Sequence, residues 1–87
     1  MVKMGVLAVV YFVALPFVRL EDGGLAPGEA IECPHAGGAV RRAQAMSGDE
    51  RHCGAVAFSR SGDPNLGDFE DAVILRTFGD VPEDFAR

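Results

Sequence analysis

Apolar residues run without interruption through the segment YFVALPFV, residues 11–18. Most of them are β-branched or aromatic, and this composition favours a buried strand over a helix. Alternation along a strand sends successive side chains to opposite sides. One set is Tyr11, Val13, Leu15 and Phe17, and the other is Phe12, Ala14, Pro16 and Val18. Both sets are apolar, so the pattern predicts a strand, over residues 10–18, that has no polar face.

The next periodic segment has helical spacing. Its apolar positions recur at i, i+3, i+4, i+7 and i+10, as in one stripe of an amphipathic helix. They are Ala36, Ala39, Val40, Ala43 and Met46. Pro34 suits the first helical position because its missing N–H would be unpaired there, and Gly48 is a typical helix end. Since the stripe is mostly alanine, we expect the helix axis to lie close to whatever it covers.

Two more strands are predicted, GAVAFSR at residues 54–60 and DAVILRTF at residues 71–78. The turn formers between them indicate a hairpin with a long loop, and residues 21–30 are predicted to be a loop. With the order β-α-β-β, a right-handed crossover makes the first two strands parallel. The third then fits between them, with Pro16 on an edge strand. The predicted fold is α+β, a three-stranded mixed sheet in the order 1-3-2 with one helix packed on one face.

One face of this sheet has nothing to cover it. The third strand is apolar on both sides, like the first, whereas a solvated sheet face is normally polar. An uncovered apolar face of this size usually marks an interface. Periodicity does not decide which alternate set faces the helix, so the candidate interaction residues come from both sets. They are Phe12, Val13, Val73 and Ile74.

Length and charge limit the classes of protein. The 87 residues form a single small domain, with a core of about 10–80, an N-terminal extension at 1–9 and a loose acidic tail at 81–87. Such a chain buries only about 60–65% of the surface that its unfolded form exposes, so a partner subunit often adds stability. The net charge is −5. Without a basic patch we expect no nucleic-acid partner.

The first eighteen residues, MVKMGVLAVVYFVALPFV, resemble a signal peptide in having one lysine before an apolar run. No small-x-small cleavage site follows, and Pro16 interrupts the run. The uncharged stretch is also shorter than the roughly 20 residues of a transmembrane helix. We therefore expect a cytoplasmic protein with no membrane segment. The alternative is export, with residues 1–18 as a signal segment.

The candidate catalytic residues are Cys33 and His35, in the segment IECPHAGGAVRR. A thiol near a helix start with a histidine close by is an arrangement found in nucleophilic cysteine sites. The competing interpretation, which we favour, is a half-buried structural cysteine ahead of Pro34.

Two further residues, His52 and Cys53, raise the question of a metal or a disulfide. The resulting C-x-H…H-C set has gaps too short for the usual zinc spacings, so we expect no metal or cofactor. A bond between Cys33 and Cys53 would need Cα atoms within about 7 Å. We expect the two cysteines at opposite ends of the helix.

Three segments together resemble a group of short, uncharacterised bacterial proteins with the same order of segments. They are YFVALPFVRLEDGGLAPGEA, GAVAFSRSGDPNLGDFEDA and the closing FGDVPEDF. The likeness covers most of the chain from Tyr11 onward. It implies no activity, because no function is established for the group. It does imply a small domain of a recurring type, with MVKMGVLAVV as an extension ahead of the usual start.

Two functions are compatible with these patterns. The favoured one is a non-enzymatic domain that forms a homodimer, or binds an unidentified protein partner, through the apolar sheet face. The alternative is a small thiol-dependent enzyme or redox protein that uses Cys33. A chain of this length leaves little room for a ligand pocket of typical volume, ~300–1,000 Å³, which is why we favour the first.

Overall fold

The computed structural model describes residues 8–85 and has an α+β fold with one helix and a six-stranded sheet that curls into a half-barrel. Each strand pairing in this range is antiparallel. In chain order, the elements are β1 (Val9–Arg19), β2 (Leu25–Pro27), β3 (Ile31–Cys33), α1 (Ala36–Ser47), β4 (Gly54–Asp63), β5 (Asp68–Phe69), β6 (Val73–Gly79) and a 3-10 turn (Glu83–Phe85).

The prediction of a three-stranded mixed sheet in the order 1-3-2 is wrong. β1 pairs with β4 from Val9↔Gly62 to Phe17↔Gly54, and β4 pairs with β6 on its other edge. The three predicted strands therefore lie in chain order. The physical reason is that the chain reverses after β1, so that β2 and β3 run back along it. The helix then connects β3 to β4, which are both antiparallel to β1 and hence parallel to each other.

Pro16 explains why the returning chain forms two short strands. β3 pairs with residues 12–14 of β1, and β2 pairs with residues 17–19. In the gap between them, the Pro16 carbonyl accepts a hydrogen bond from the Gly28 N–H at 2.8 Å. The N and O of a strand residue point to the same edge, so the missing N–H of Pro16 faces this gap. The prediction that Pro16 lies on an edge strand is wrong, because β1 is paired on both sides.

Helix α1 begins two residues later than Pro34 suggested. His35 is its N-cap, and the ring Nδ1 accepts a hydrogen bond from the Gly38 N–H at 3.0 Å. This contact satisfies one of the N–H groups that a helix start leaves unpaired. The predicted end is confirmed, since Gly48 is the C-cap and its N–H is directed at the carbonyls of Ala45 and Met46.

The helix packs on one side of the sheet, which we call the helix face, through very small side chains. The buried hydrophobic core of the described part of the chain has eight residues, and five of them are alanines. Those alanines are Ala14, Ala39, Ala43, Ala55 and Ala57, and all belong to one cluster between α1, β1 and β4. The alanine stripe therefore does bring the helix close to the sheet.

The predicted hairpin between the last two long strands is confirmed as β4 and β6, with β5 in its loop. One irregularity changes which side its residues occupy. Ala57 pairs with Arg76, but the next residue, Phe58, pairs with Ile74. Leu75 is thus an extra residue, as in a β-bulge. Val73 and Ile74 therefore lie on the opposite sides of the sheet from those that regular alternation from the C-terminal half of β6 would give them.

Candidate functional site

The side of the sheet opposite α1 is the candidate functional site, and we call it the open face. The register of β1 and β4 sets Val13 opposite Phe58 and Leu15 opposite Val56, and Ile74 lies on the far side of Phe58. The open face comprises Tyr11, Val13, Leu15, Phe17, Val56, Phe58 and Ile74. It is therefore apolar across β1, β4 and β6.

The structure divides the four predicted interaction residues into two pairs. Val13 and Ile74 lie on the open face, each opposite Phe58, and both are half-buried. Phe12 packs against the alanine cluster of the helix face. Val73 is on the helix-face side too, opposite Ser59, and is 60% exposed. The bulge in β6 produces this grouping, which regular alternation from Phe78 would have reversed.

One end of the open face is covered by the 3-10 turn at the C-terminal end of the described chain. The ring of Phe85 lies 5.5 Å from that of Phe17 and 6.4 Å from that of Phe58, measured between centroids. Phe17 and Val56 are the largest fully buried side chains. Sequence reasoning missed Phe85, although an aromatic residue within the acidic segment FGDVPEDF was a signal that could have identified it.

The rest of the open face is partly accessible. Val13, Leu15, Phe58 and Ile74 are half-buried, although Phe85 contacts Phe58. At the far end, Tyr11 packs against Phe69 with ring centroids 6.1 Å apart, and Phe69 is 42% exposed. Large apolar side chains thus remain in contact with solvent along most of this face.

An open groove of about 440 Å³ runs beside Phe85. Its walls are Ala72, Ile74 and Phe85, and its two carboxylates are Asp71 and Asp84. Among the described residues, no Ser, Thr, Cys, His, Lys or Arg side chain lines it. The groove therefore extends the apolar surface of the open face.

Cys33 and His35 belong to different structural elements and make different contacts. Cys33 is the last residue of β3, and its side chain is buried in the alanine cluster beneath α1. Its Sγ is 3.7 Å from the Ile31 carbonyl oxygen, a weak contact. The ring Nδ1 of His35 is already bonded to the Gly38 N–H. The histidine thus caps the helix, and the cysteine is part of the core.

The second Cys/His pair, His52 and Cys53, also contacts backbone carbonyl groups. The Sγ of Cys53 donates to the Phe17 carbonyl at 3.4 Å, and Nδ1 of His52 is 3.0 Å from the Met46 carbonyl oxygen. Both Cys33 and Cys53 are free thiols. Within residues 8–85 no group of three or more His, Cys, Asp or Glu side chains is arranged to hold a metal ion.

The turn after α1 contains the one strongly perturbed carboxylate among the described residues. Hydrogen bonds from the Arg51 side chain, at 2.7 and 3.1 Å, and then from its backbone N–H hold the pKa of Asp49 well below its usual range. The same side-chain hydrogen bonds raise the pKa of Arg51. Because the pair is exposed and local, it stabilises the turn and contributes little else.

No helix in the described range is long and apolar enough to cross a membrane. No family model, curated protein or solved structure matches the chain. The resemblance to short bacterial proteins therefore stays a prediction, and the functional argument depends on the open face.

Proposed function

We propose that this chain is a non-enzymatic domain that self-associates through its open face. One observation carries the proposal: the side of the sheet that has no helix is apolar across β1, β4 and β6. Phe17 and Val56, the largest fully buried side chains, are both there. On the helix side the fully buried residues are alanines, with larger apolar side chains packed around them.

The energetic reason is the small size of the core that one chain builds alone. Alanine contributes little apolar area, and a domain of this length is marginal without additional burial. Four half-buried residues of the open face still have apolar surface to lose: Val13, Leu15, Phe58 and Ile74. Covering what remains exposed on each would stabilise the assembly by roughly 1 kcal/mol per side chain.

The occupant that we propose is a second copy of this chain. Two sheets can stack face to face at a separation of about 10 Å. The sheet positions that flank the apolar centre have opposite charges, with Arg60 opposite Tyr11 and Glu32 opposite Val13. A two-fold axis that lies between the stacked sheets, parallel to β1, brings the arginine side of one copy towards the glutamate side of the other, which makes the surface self-complementary.

A matched pair of substitutions in β1 tests the proposal. Val13 is on the open face, whereas Val10 is on the opposite side of the same strand and is 51% exposed. By light scattering after size exclusion, we expect Val13→Glu to lower the mass towards the 9.2 kDa of one chain and Val10→Glu to leave it unchanged. Circular dichroism checks that both variants fold. Equal behaviour of the two variants would contradict the proposal.

The thiol-dependent alternative has weaker support. Cys33 is buried beneath α1, and the imidazole that would act as its base caps the helix instead. A cytoplasmic location without a nucleic-acid partner is part of the same proposal and rests on the sequence alone.

A further inference from the structure

The 3-10 turn Glu83–Phe85, which we call the cap, is tied to the rest of the fold by few contacts. The last backbone anchor before it is Asp80, whose N–H donates to the Cys53 carbonyl at 2.9 Å. Beyond Asp80, the one backbone hydrogen bond within the described range runs from the Phe85 N–H to the Pro82 carbonyl at 2.9 Å, next to the sheet but not to it. Side-chain packing, above all that of Phe85, therefore holds the cap in place.

The ring of Phe85 lies in the layer that a second sheet would need. Its centroid is 5.5 Å from that of Phe17 and 6.4 Å from that of Phe58. Two stacked sheets are about 10 Å apart, and the side chains of both fill the space between them. The ring therefore occupies volume that side chains of a second sheet would fill at the Phe17 end of the open face.

The symmetry of the proposed pair brings the two caps together. A two-fold axis parallel to β1 preserves the direction of that strand, so the Phe17 end of one copy lies over the Phe17 end of the other. Both Phe85 rings would then need the same layer at one end of the pair. Glu83 and Asp84 are exposed in each cap, so their carboxylates would gather there too, and like charges repel. A pair with both caps closed is therefore unfavourable at this end.

We propose that the cap is an autoinhibitory contact, which leaves the open face before a second copy covers that face completely. The inference rests on the proposed function and names how the association is regulated. In the single chain the cap shields Phe17, which is 1% exposed although it lies on the side without a helix. In the pair the second copy provides that cover, and the cap moves away from the sheet after Asp80. Protein concentration then decides which of the two covers the face.

Removing the ring of the cap tests the proposal. Phe85→Ala lacks the two aromatic contacts that each wild-type copy must break, so we expect the dimer Kd to fall about tenfold or more, measured by sedimentation equilibrium. Phe69→Ala is the matched control, because it loses an aromatic contact with Tyr11 at the other end of the face and should not tighten association. A Kd that is unchanged or raised in Phe85→Ala would overturn the proposal.

A fluorescent cap gives a second readout, which decides the matter if Phe85→Ala fails to fold. The sequence has no tryptophan, so tryptophan emission from Phe85→Trp reports on the cap alone. We expect the blue-shifted emission of a covered ring at about 1 μM and a red shift at about 100 μM, as mass action favours the pair. Emission that stays blue-shifted while sedimentation shows association would contradict the proposal, as would red-shifted emission at the lower concentration.

Failure of this inference and failure of the proposed function give different results. If Val13→Glu dissociates the wild-type pair but Phe85→Ala does not tighten it, only the inference fails. If Val13→Glu leaves association unchanged, the open face is not the interface and both fail. A monomeric wild-type chain beside an associated Phe85→Ala would support the cap and contradict self-association of the native chain. Monomers in both would contradict both.

Discussion

The two faces of the sheet differ in the side chains that are packed at their centres. On the helix face, five fully buried alanines bring α1 close to β1 and β4. On the open face, valine, leucine, isoleucine and phenylalanine side chains lie across three strands, and Phe85 covers one end of them. The centre of the closed interface is therefore made of alanines, whereas the centre of the open face is made of larger apolar residues.

We infer from this difference that the helix face and the open face serve separate purposes. A layer of alanines gives a close, rigid contact but little apolar area. A layer of large side chains gives area, and that area contributes fully only when a second surface covers it. We infer that α1 holds the sheet in shape and that the open face provides the surface for association. Substitutions on the two faces should therefore have different kinds of effect.

Enlarging a side chain under the helix should have the largest effect on the chain itself. Ala57 is fully buried, and Ala57→Leu adds volume where no space remains. We expect the free energy of unfolding to fall by about 1–3 kcal/mol, measured by urea denaturation. Ala45→Leu places the same side chain at an exposed position of α1 and should change stability by less than about 0.5 kcal/mol. Similar costs for both would show that the alanine contact is loose.

Removing the cover of the open face should have a smaller effect. Phe85→Ala loses two aromatic contacts, with Phe17 and Phe58. We expect a loss of roughly 1–2 kcal/mol, since each aromatic pair contributes about 0.5–1.5 kcal/mol. Phe69→Ala, which loses only the contact with Tyr11, should cost less in the same urea titration. An unchanged midpoint for Phe85→Ala would mean that the 3-10 turn does not cover the face in solution.

The smallest expected effect is a difference in alkylation rate between the two cysteines, one buried beneath α1 and one outside that cluster. Cys33 is buried in the alanine cluster, whereas Cys53 is half-buried at the start of β4. Under native conditions we expect iodoacetamide to modify Cys33 about tenfold more slowly than Cys53, because its modification requires local opening. Mass spectrometry of the two peptides measures both rates, and urea should equalise them. A faster Cys33 would favour the thiol-dependent alternative.

Much of the fold could be predicted from periodicity. The apolar run at residues 11–18, the alanine stripe and the turn-rich hairpin loop correctly predicted β1, α1 and the pairing of β4 with β6. β2 and β3 could not be predicted, because strands of three residues in a glycine-rich segment have no measurable period. They decide the topology, since they convert a direct crossover from β1 into one that starts from β3.

The residues that share the open face could be predicted only in part. Alternation in β1 correctly separated Val13 from Phe12. In β6, the bulge at Leu75 sets Ile74 on the side of Val13 and Val73 on the other. A bulge adds one residue without changing composition, so no pattern in DAVILRTF indicates it. The position of Phe85 depends on a tertiary contact with Phe17 and Phe58, which local sequence does not determine.

Sedimentation equilibrium of the wild-type chain tests self-association most directly. At about 100 μM, a concentration at which an interface with a micromolar Kd is largely occupied, we expect a weight-average mass well above the 9.2 kDa of one chain. Val13→Glu should lower that mass, and Val10→Glu should not. A wild-type chain that sediments as a clean 9.2 kDa monomer at this concentration would contradict the proposal that a second copy covers the open face.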